Sequence, residues 1–162
     1  RSPSGDPRPS GKLLGGAMSK KESVDPYYSA GEYREALEKK LTPESCPLCT
    51  LEIHTKPILR DLWGWFITES TWPYEHTKYH FLIISKNHRE NFTELGLFDF
   101  QAIHALAKWA LSAYNIPGGA LTLRFGTTRF TGATICHLHF HLIVPELDPA
   151  TGRAKTVIFP IG

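Results

Sequence analysis

Apolar positions along this chain follow two rhythms, and each predicts its own kind of element. Tyr79 to Ser85 (YHFLIIS) is a nearly continuous apolar run, the pattern of a strand covered on both faces. Cys136 to Val144, which alternates as far as Leu142, reads as a second strand, with further strands over Trp63–Thr68, Ala120–Phe125 and Thr156–Phe159. Between Leu97 and Tyr114 the spacing changes to three and four. There Leu97, Phe100, Ile103, Ala107, Ala110, Leu111 and Tyr114 predict a helix with one buried stripe. Asn115 to Gly119 breaks it. A shorter helix is predicted over Ser29–Lys40, with Tyr33, Ala36, Leu37 and Leu41 on one side and Thr42-Pro43 as its stop. The expected fold class is α+β, an antiparallel sheet with one main helix and an N-terminal helix packed on it.

Length adds a bound, since 162 residues suit one domain with a core large enough to need no disulfides. Residues 1–17 are rich in Pro, Gly and Ser and are expected to be a disordered leader or tail, with Met18 as the natural start. Residues 18–45 are read as a helical extension and 46–162 as the main domain. Without residues 1–17 the chain has 15 basic and 15 acidic residues (18 less 3, and 16 less 1), so its body is neutral. That balance disfavours a nucleic-acid partner, and no apolar run approaches the ~18–20 residues of a membrane span. Three cysteines, two of them in Cys46-x-x-Cys49, do not make a secreted disulfide framework and fit a reducing cytoplasm.

His137, His139 and His141 stand two apart in a predicted strand, so they share one face while Leu138, Phe140 and Leu142 share the other. Same-face neighbours lie roughly 6.5–7 Å apart, which suits imidazoles converging on one phosphate or metal. Three such rings facing a core would each need a polar partner. A solvent-facing strand that happens to be rich in histidine is the bland alternative.

The stretch His137-Leu138-His139-Phe140-His141-Leu142-Ile143 resembles the histidine-triad (HIT) superfamily motif, His-φ-His-φ-His-φ-φ with φ apolar, at every position. Residues Tyr79 to His88 look like the strand and turn that precede the main helix in that family. The resemblance spans about Cys46 to Pro145 and implies a HIT-like fold. It also implies that His139 is the nucleophile, attacking an α-phosphorus to form a nucleotidyl-histidine, with His141 binding the phosphate. The carbonyl of His137 would orient the His139 ring. Thr134 occupies the Ser/Thr position that contacts phosphate and leaving group, and Gly132 with the Ala133 backbone would line the phosphate loop. This chemistry is sound in its own right, because neutral imidazole is nucleophilic near pH 7 and covalent catalysis divides one hard displacement. A second, protonated imidazole would then stabilise charge on the phosphoryl oxygens.

Cys46-x-x-Cys49 by itself fits either a redox pair or half of a zinc site. Bacterial histidine-triad proteins and galactose-1-phosphate uridylyltransferases are similar in carrying such a pair, a histidine after the apolar strand and the first triad histidine. The resemblance therefore implies a structural zinc on Cys46, Cys49, His88 and His137. Cys136 reads as a core thiol, His80 as structural, and His54 and His104 as solvated. The family's apolar base pocket lies near the Trp63–Trp72 aromatics, which makes Phe66 and Ile67 candidates for stacking on a purine. Relatives place an Asp on the following loop for the ribose. This chain has none there, and Glu69 is the candidate substitute. Where relatives carry Asn before the triad, this chain has Gly126–Arg129, so Arg129 or Arg124 is expected to meet additional phosphates.

The resulting expectation is a hydrolase acting on a nucleoside phosphoramidate or dinucleoside polyphosphate, assembled as a homodimer as many compact members of the family are. A transferase or phosphorylase passing the nucleotide to another acceptor, and a catalytically weak nucleotide-binding module, are the competing readings. His141 at the third triad position, where uridylyltransferases carry glutamine, favours the hydrolase branches.

Overall fold

The computed structural model describes residues 31–40, 46–51 and 56–161. Leu41, the Thr42-Pro43 stop, His54 and the 1–17 leader lie outside them. Five strands form one antiparallel sheet in the order β1-β2-β3-β5-β4: β1 Ile58–Leu62, β2 Trp65–Glu69, β3 Thr77–Ser85, β4 Ala120–Leu123 and β5 His139–Pro145. The helices are α1 Gly31–Lys40, one-turn α2 Pro47–Thr50, α3 Leu97–Ala113 and one-turn α4 Thr128–Thr131. The expected α+β class, an antiparallel sheet with one main helix and an N-terminal helix, is what the chain adopts.

Alternation sorts the sheet into two faces. On one, Trp65, Ile67, Phe81, Ile83, Leu138, Phe140, Leu142 and Val144 pack against Ala102, Ile103, Leu106, Ala107 and Ala110 of α3. On the other, Phe66, Leu82 and Ile84 meet Leu37 of α1, together with Cys46, Leu48 and Ile135. α1 is thus seated on this face of the sheet. The polar centre of the second face is His80, His139 and His141, whose alternating partners Leu142 and Phe140 anchor the first.

Several expectations need correction. The stripe of α3 that faces the sheet is Ala102, Ile103, Leu106, Ala107 and Ala110, while Leu97 is 82% exposed and Phe100 and Leu111 also face outward. Gln101, His104, Lys108 and Ser112 line the opposite, exposed side of the helix, and apolar residues fill the rest. Its alanine-rich side lets the backbone approach the sheet most closely, and the larger side chains are left outside. β2 starts at Trp65, not Trp63. Trp63 and Gly64, both with positive φ (47° and 82°), make the two-residue turn of the β1–β2 hairpin. β1 itself was not foreseen, because Ile58-Leu59-Arg60-Asp61-Leu62 mixes polar and apolar residues around a register shift. β5 begins at His139, three residues after Cys136, where alternation alone would start it.

No strand forms over residues 156–159. After the isolated bridge between Leu147 and Ala154, the chain runs as a strap across the second face. Gly119, which enters β4, approaches β5 so closely that a Cβ there would lie 2.5 Å from the carbonyl oxygen of Ile143.

Candidate active site and metal centre

The second face carries two adjoining constellations. In the first, Cys46 lies at the start of α2 and Cys49 within it, so one helical turn brings both sulfurs to the same side. His137 Nδ1 is 3.3 Å from Cys46 Sγ and 3.5 Å from Cys49 Sγ, and His88 Nδ1 is 3.4 Å from Cys49 Sγ. One ligand atom from each of the four residues lies within 4.8 Å of all the others. A tetrahedral zinc with bonds of about 2.3 Å to sulfur and about 2.0 Å to nitrogen sets its sulfur and nitrogen ligands about 3.5 Å apart, so the donor set fits that ion.

The far side of each imidazole supports the same reading. His137 Nε2–H donates to the carbonyl of Ser85 at 2.7 Å, and His88 Nε2 lies 2.9 Å from Glu90 Oε1. Each ring thereby turns its Nδ1 lone pair toward the sulfurs, the arrangement found behind metal-ligating histidines. Burial holds His137 down to about 4, keeping it a neutral donor, and pushes the Cys46 thiol up to about 12 where nothing replaces its proton.

The second constellation begins two residues further on. His139 Nδ1–H donates to the carbonyl oxygen of His137 at 2.7 Å, which leaves the lone pair on Nε2. His139 and His141 stack at a tilt, with ring centroids 4.8 Å apart. The backbone N–H of Tyr74 can only donate, and it reaches His80 Nδ1 at 3.2 Å, so the proton of His80 is on Nε2. That nitrogen is 2.9 Å from His141 Nδ1, which must therefore accept, and the proton of His141 is on its own Nε2. Among the described residues this last nitrogen is buried without a partner.

Burial, then Arg124, holds His80 down to about 4. Burial above all holds His141 well below the ordinary histidine range, with His139, His80 and Arg124 adding to it. His141 is thus a neutral N–H donor at pH 7, which corrects the expectation of a protonated second imidazole. His80, read from the sequence as structural, sets the tautomer of His141. It shares its face of β3 with Leu82 and Ile84, and its register partner Ile143 places it beside His141.

Thr134 lies before the triad and hydrogen-bonds through its side chain to the Tyr33 hydroxyl, whose pKa burial raises above the ordinary range. Gly132 (φ 63°) closes α4, and its carbonyl accepts from Arg124 Nη1 at 3.4 Å; the Ala133 N–H donates to Thr131 Oγ1. Phe66 is on the triad face but buried beneath Leu37. Ile67 and Glu69 do not join the site. β2 alternation turns Ile67 into the core under α3, and Glu69 shares its parity and lies near Tyr114 instead. Cys136 donates to the Gly126 carbonyl and stands apart from the metal-type cluster. His104 is exposed on α3, and Arg129 is exposed on α4.

No family model matches the sequence, and curated proteins give no match. Solved structures do. A HIT family hydrolase from Clostridium thermocellum is similar at 25% identity and TM-score 0.51, over 67% of this chain and 96% of that one. A histidine triad nucleotide-binding protein from Candida albicans aligns at 23% identity and TM-score 0.53, over 73% of this chain and 85% of that one. A HIT family protein from Bacillus anthracis aligns at 20% and 0.51, over 70% and 81%. The chain thus has the histidine-triad fold, and it resembles that superfamily in motif as well as in architecture.

Proposed function

We propose that this chain is an enzyme that hydrolyses a purine nucleotide at its α-phosphorus through a nucleotidyl-histidine on His139, the substrate being a nucleoside phosphoramidate or a dinucleoside polyphosphate. The observation that carries the reading is the orientation of His139. Its Nδ1–H is committed to the His137 carbonyl, so the nucleophilic lone pair sits on Nε2. In the first step the Nε2–phosphorus bond forms as the bond to the leaving group breaks, and the leaving group departs with that electron pair. In the second, water attacks the phosphorus, its proton leaves with solvent, and the histidine is released. Throughout, the His141 Nε2–H is a fixed donor for a phosphoryl oxygen, already dehydrated and needing no reorganisation. Thr134, Gly132 and the Ala133 backbone are the proposed contacts of the phosphate and leaving group. The solved relative named a hydrolase, and the one named nucleotide-binding, support the same direction.

Cys46, Cys49, His88 and His137 are the proposed ligands of a structural zinc. A bound zinc would tie α2 to the segment that leads into β5, and His137 would then hold both the metal and, through its carbonyl, the His139 ring.

A second copy of the chain is the proposed partner. Phe92 packs against Phe100 and Phe125, yet all three rings stay substantially exposed, as do Leu97 and Phe98 on α3 and Leu121 on the edge strand β4. The Phe92–Phe100–Phe125 cluster of half-exposed rings is the observation that favours such a partner. No helix of the described residues is long and apolar enough to cross a membrane.

The test is release of AMP from adenosine 5′-phosphoramidate and from diadenosine tetraphosphate. Wild-type protein is expected to release AMP, and His139→Ala to lose the activity. Full activity in His139→Ala would remove the nucleophile assignment, and nucleotide binding without release would remove hydrolysis of these compounds.

A further inference from the structure

Among the described residues, three side-chain atoms are buried without a hydrogen-bond partner: Thr122 Oγ1, Arg124 Nε and His141 Nε2. They are not scattered. Thr122 is the register partner of His141 across β4 and β5, and Arg124 stands two residues on, just past the end of β4, with its charge felt by both His80 and His141. An unsatisfied buried polar atom costs stability, so three of them converging on one spot of the triad face mark where a polar ligand belongs.

Arg124 is held there firmly. Its Nη2 donates to the Tyr74 hydroxyl at 3.1 Å and its Nη1 to the Pro160 carbonyl at 3.1 Å, while the guanidinium lies 4.7 Å from the centroid of Phe159. Phe159 in turn packs edge-on against His141, with centroids 5.2 Å apart. No carboxylate among the described residues pairs with Arg124. A role confined to tying down the strap would employ the two terminal nitrogens. It would explain neither the unspent Nε–H nor a whole charge placed among neutral rings. Arg124 disfavours protonation of both His80 and His141, so the guanidinium is the fixed positive charge beside the triad.

We infer that Arg124, with Thr122, forms an anion receptor that binds a phosphoryl group beyond the α-phosphate, next to the His141 Nε2–H that serves the α-phosphoryl oxygen. The site would therefore select nucleotides whose leaving group is itself anionic over those with a neutral amine. This rests on the proposed attack at the α-phosphorus, and it narrows the substrate class to nucleoside polyphosphates. The phosphate loop at residues 132–134 remains for the α-phosphate, whereas a charge-assisted Nε–H bond is the kind that discriminates by charge.

The test compares the affinities of AMP and of α,β-methylene-ADP, which keeps the second phosphoryl group and cannot be cleaved at that bridge, by calorimetry. Wild-type protein is expected to prefer α,β-methylene-ADP by about 10- to 100-fold. Arg124→Gln should abolish that preference while moving AMP affinity less than about threefold, and Arg124→Lys should keep part of it. Thr122→Val, matched in shape, should lose part of it too, and it serves as the reading if Arg124→Gln proves too unstable to measure. Equal affinities in the wild type, or equal losses for both ligands in Arg124→Gln, would overturn the inference and leave the hydrolase reading standing. The expected preference in a protein that cleaves neither phosphoramidate nor polyphosphate would overturn hydrolysis and leave the receptor standing. Binding of neither nucleotide would overturn both.

Discussion

His80 Nε2 lies 2.9 Å from His141 Nδ1, and this contact between neighbouring strands decides which nitrogen of the third triad histidine carries the proton. Replacing His80 with phenylalanine removes the donor and lets His141 adopt the other tautomer. The variant is expected to lose on the order of 10- to 100-fold in kcat with little change in KM, because a transition-state donor is misplaced while ground-state binding is kept. His80→Gln, whose amide can still donate, should recover part of the loss. Steady-state kinetics on the three proteins checks this. An unchanged kcat in His80→Phe would contradict the tautomer assignment.

The same burial gives stability a pH dependence of definite sign. His80 titrates near 4 in the folded chain against an ordinary value of 6.5, so the unfolded chain binds more protons between those limits. Its contribution is fully present above pH 6.5 and is lost as the pH falls through 6.5 to 4. Melting temperatures across that window should fall more steeply for wild-type protein than for His80→Phe. Parallel curves would contradict it.

Much of this was legible in the sequence. Alternation over His137–Ile143 assigned each of those residues to its face, because one face of β5 must meet the α3 core. The apolar run at 79–85 likewise located β3, the strand that both neighbours need. The losses have physical causes. α3 carries apolar residues over most of its circumference beside the exposed Gln101, His104, Lys108 and Ser112, so the three- and four-residue spacing set the stripe too far round, and Leu97, Phe100 and Leu111 were assigned inward wrongly. Ile67 was carried over with the family's base pocket and Glu69 as the substitute for its ribose-binding Asp, and one step along a strand reverses the face. The role of His80 depended on a backbone N–H from Tyr74 and a ring from another strand, and neither leaves a local trace. The Cys and His types of the metal-type cluster were readable. The Ser85 and Glu90 oxygens that orient the two imidazoles were not.

Those oxygens give a test of the metal centre. Purified protein is expected to carry about one zinc per chain by elemental analysis, and Cys49→Ser to lose most of it. Glu90→Ala, which removes the acceptor behind His88, should weaken zinc by about 10- to 100-fold in a chelator competition while leaving all four ligands in place. Chelation should also lower the melting temperature, since α2 and the start of β5 lose their tie. A melting temperature indifferent to zinc and chelator would contradict a structural role.

The exposed aromatic surface predicts the oligomeric state. Light scattering should give twice the chain mass of 18.2 kDa. Phe98→Glu, a charge placed on a ring that is 82% exposed in the single chain, should shift the mass toward monomer without unfolding it. A monomeric wild type would contradict the dimer.

The central claim is covalent attack by His139, and the most direct measurement is the intact mass of the protein quenched in acid-free conditions within the first turnovers on diadenosine tetraphosphate. A mass increase of one adenylyl group, mapped by fragmentation to His139 and missing in His139→Ala, is the predicted result. AMP release at full rate with no adduct, or an adduct on another histidine, would contradict the account.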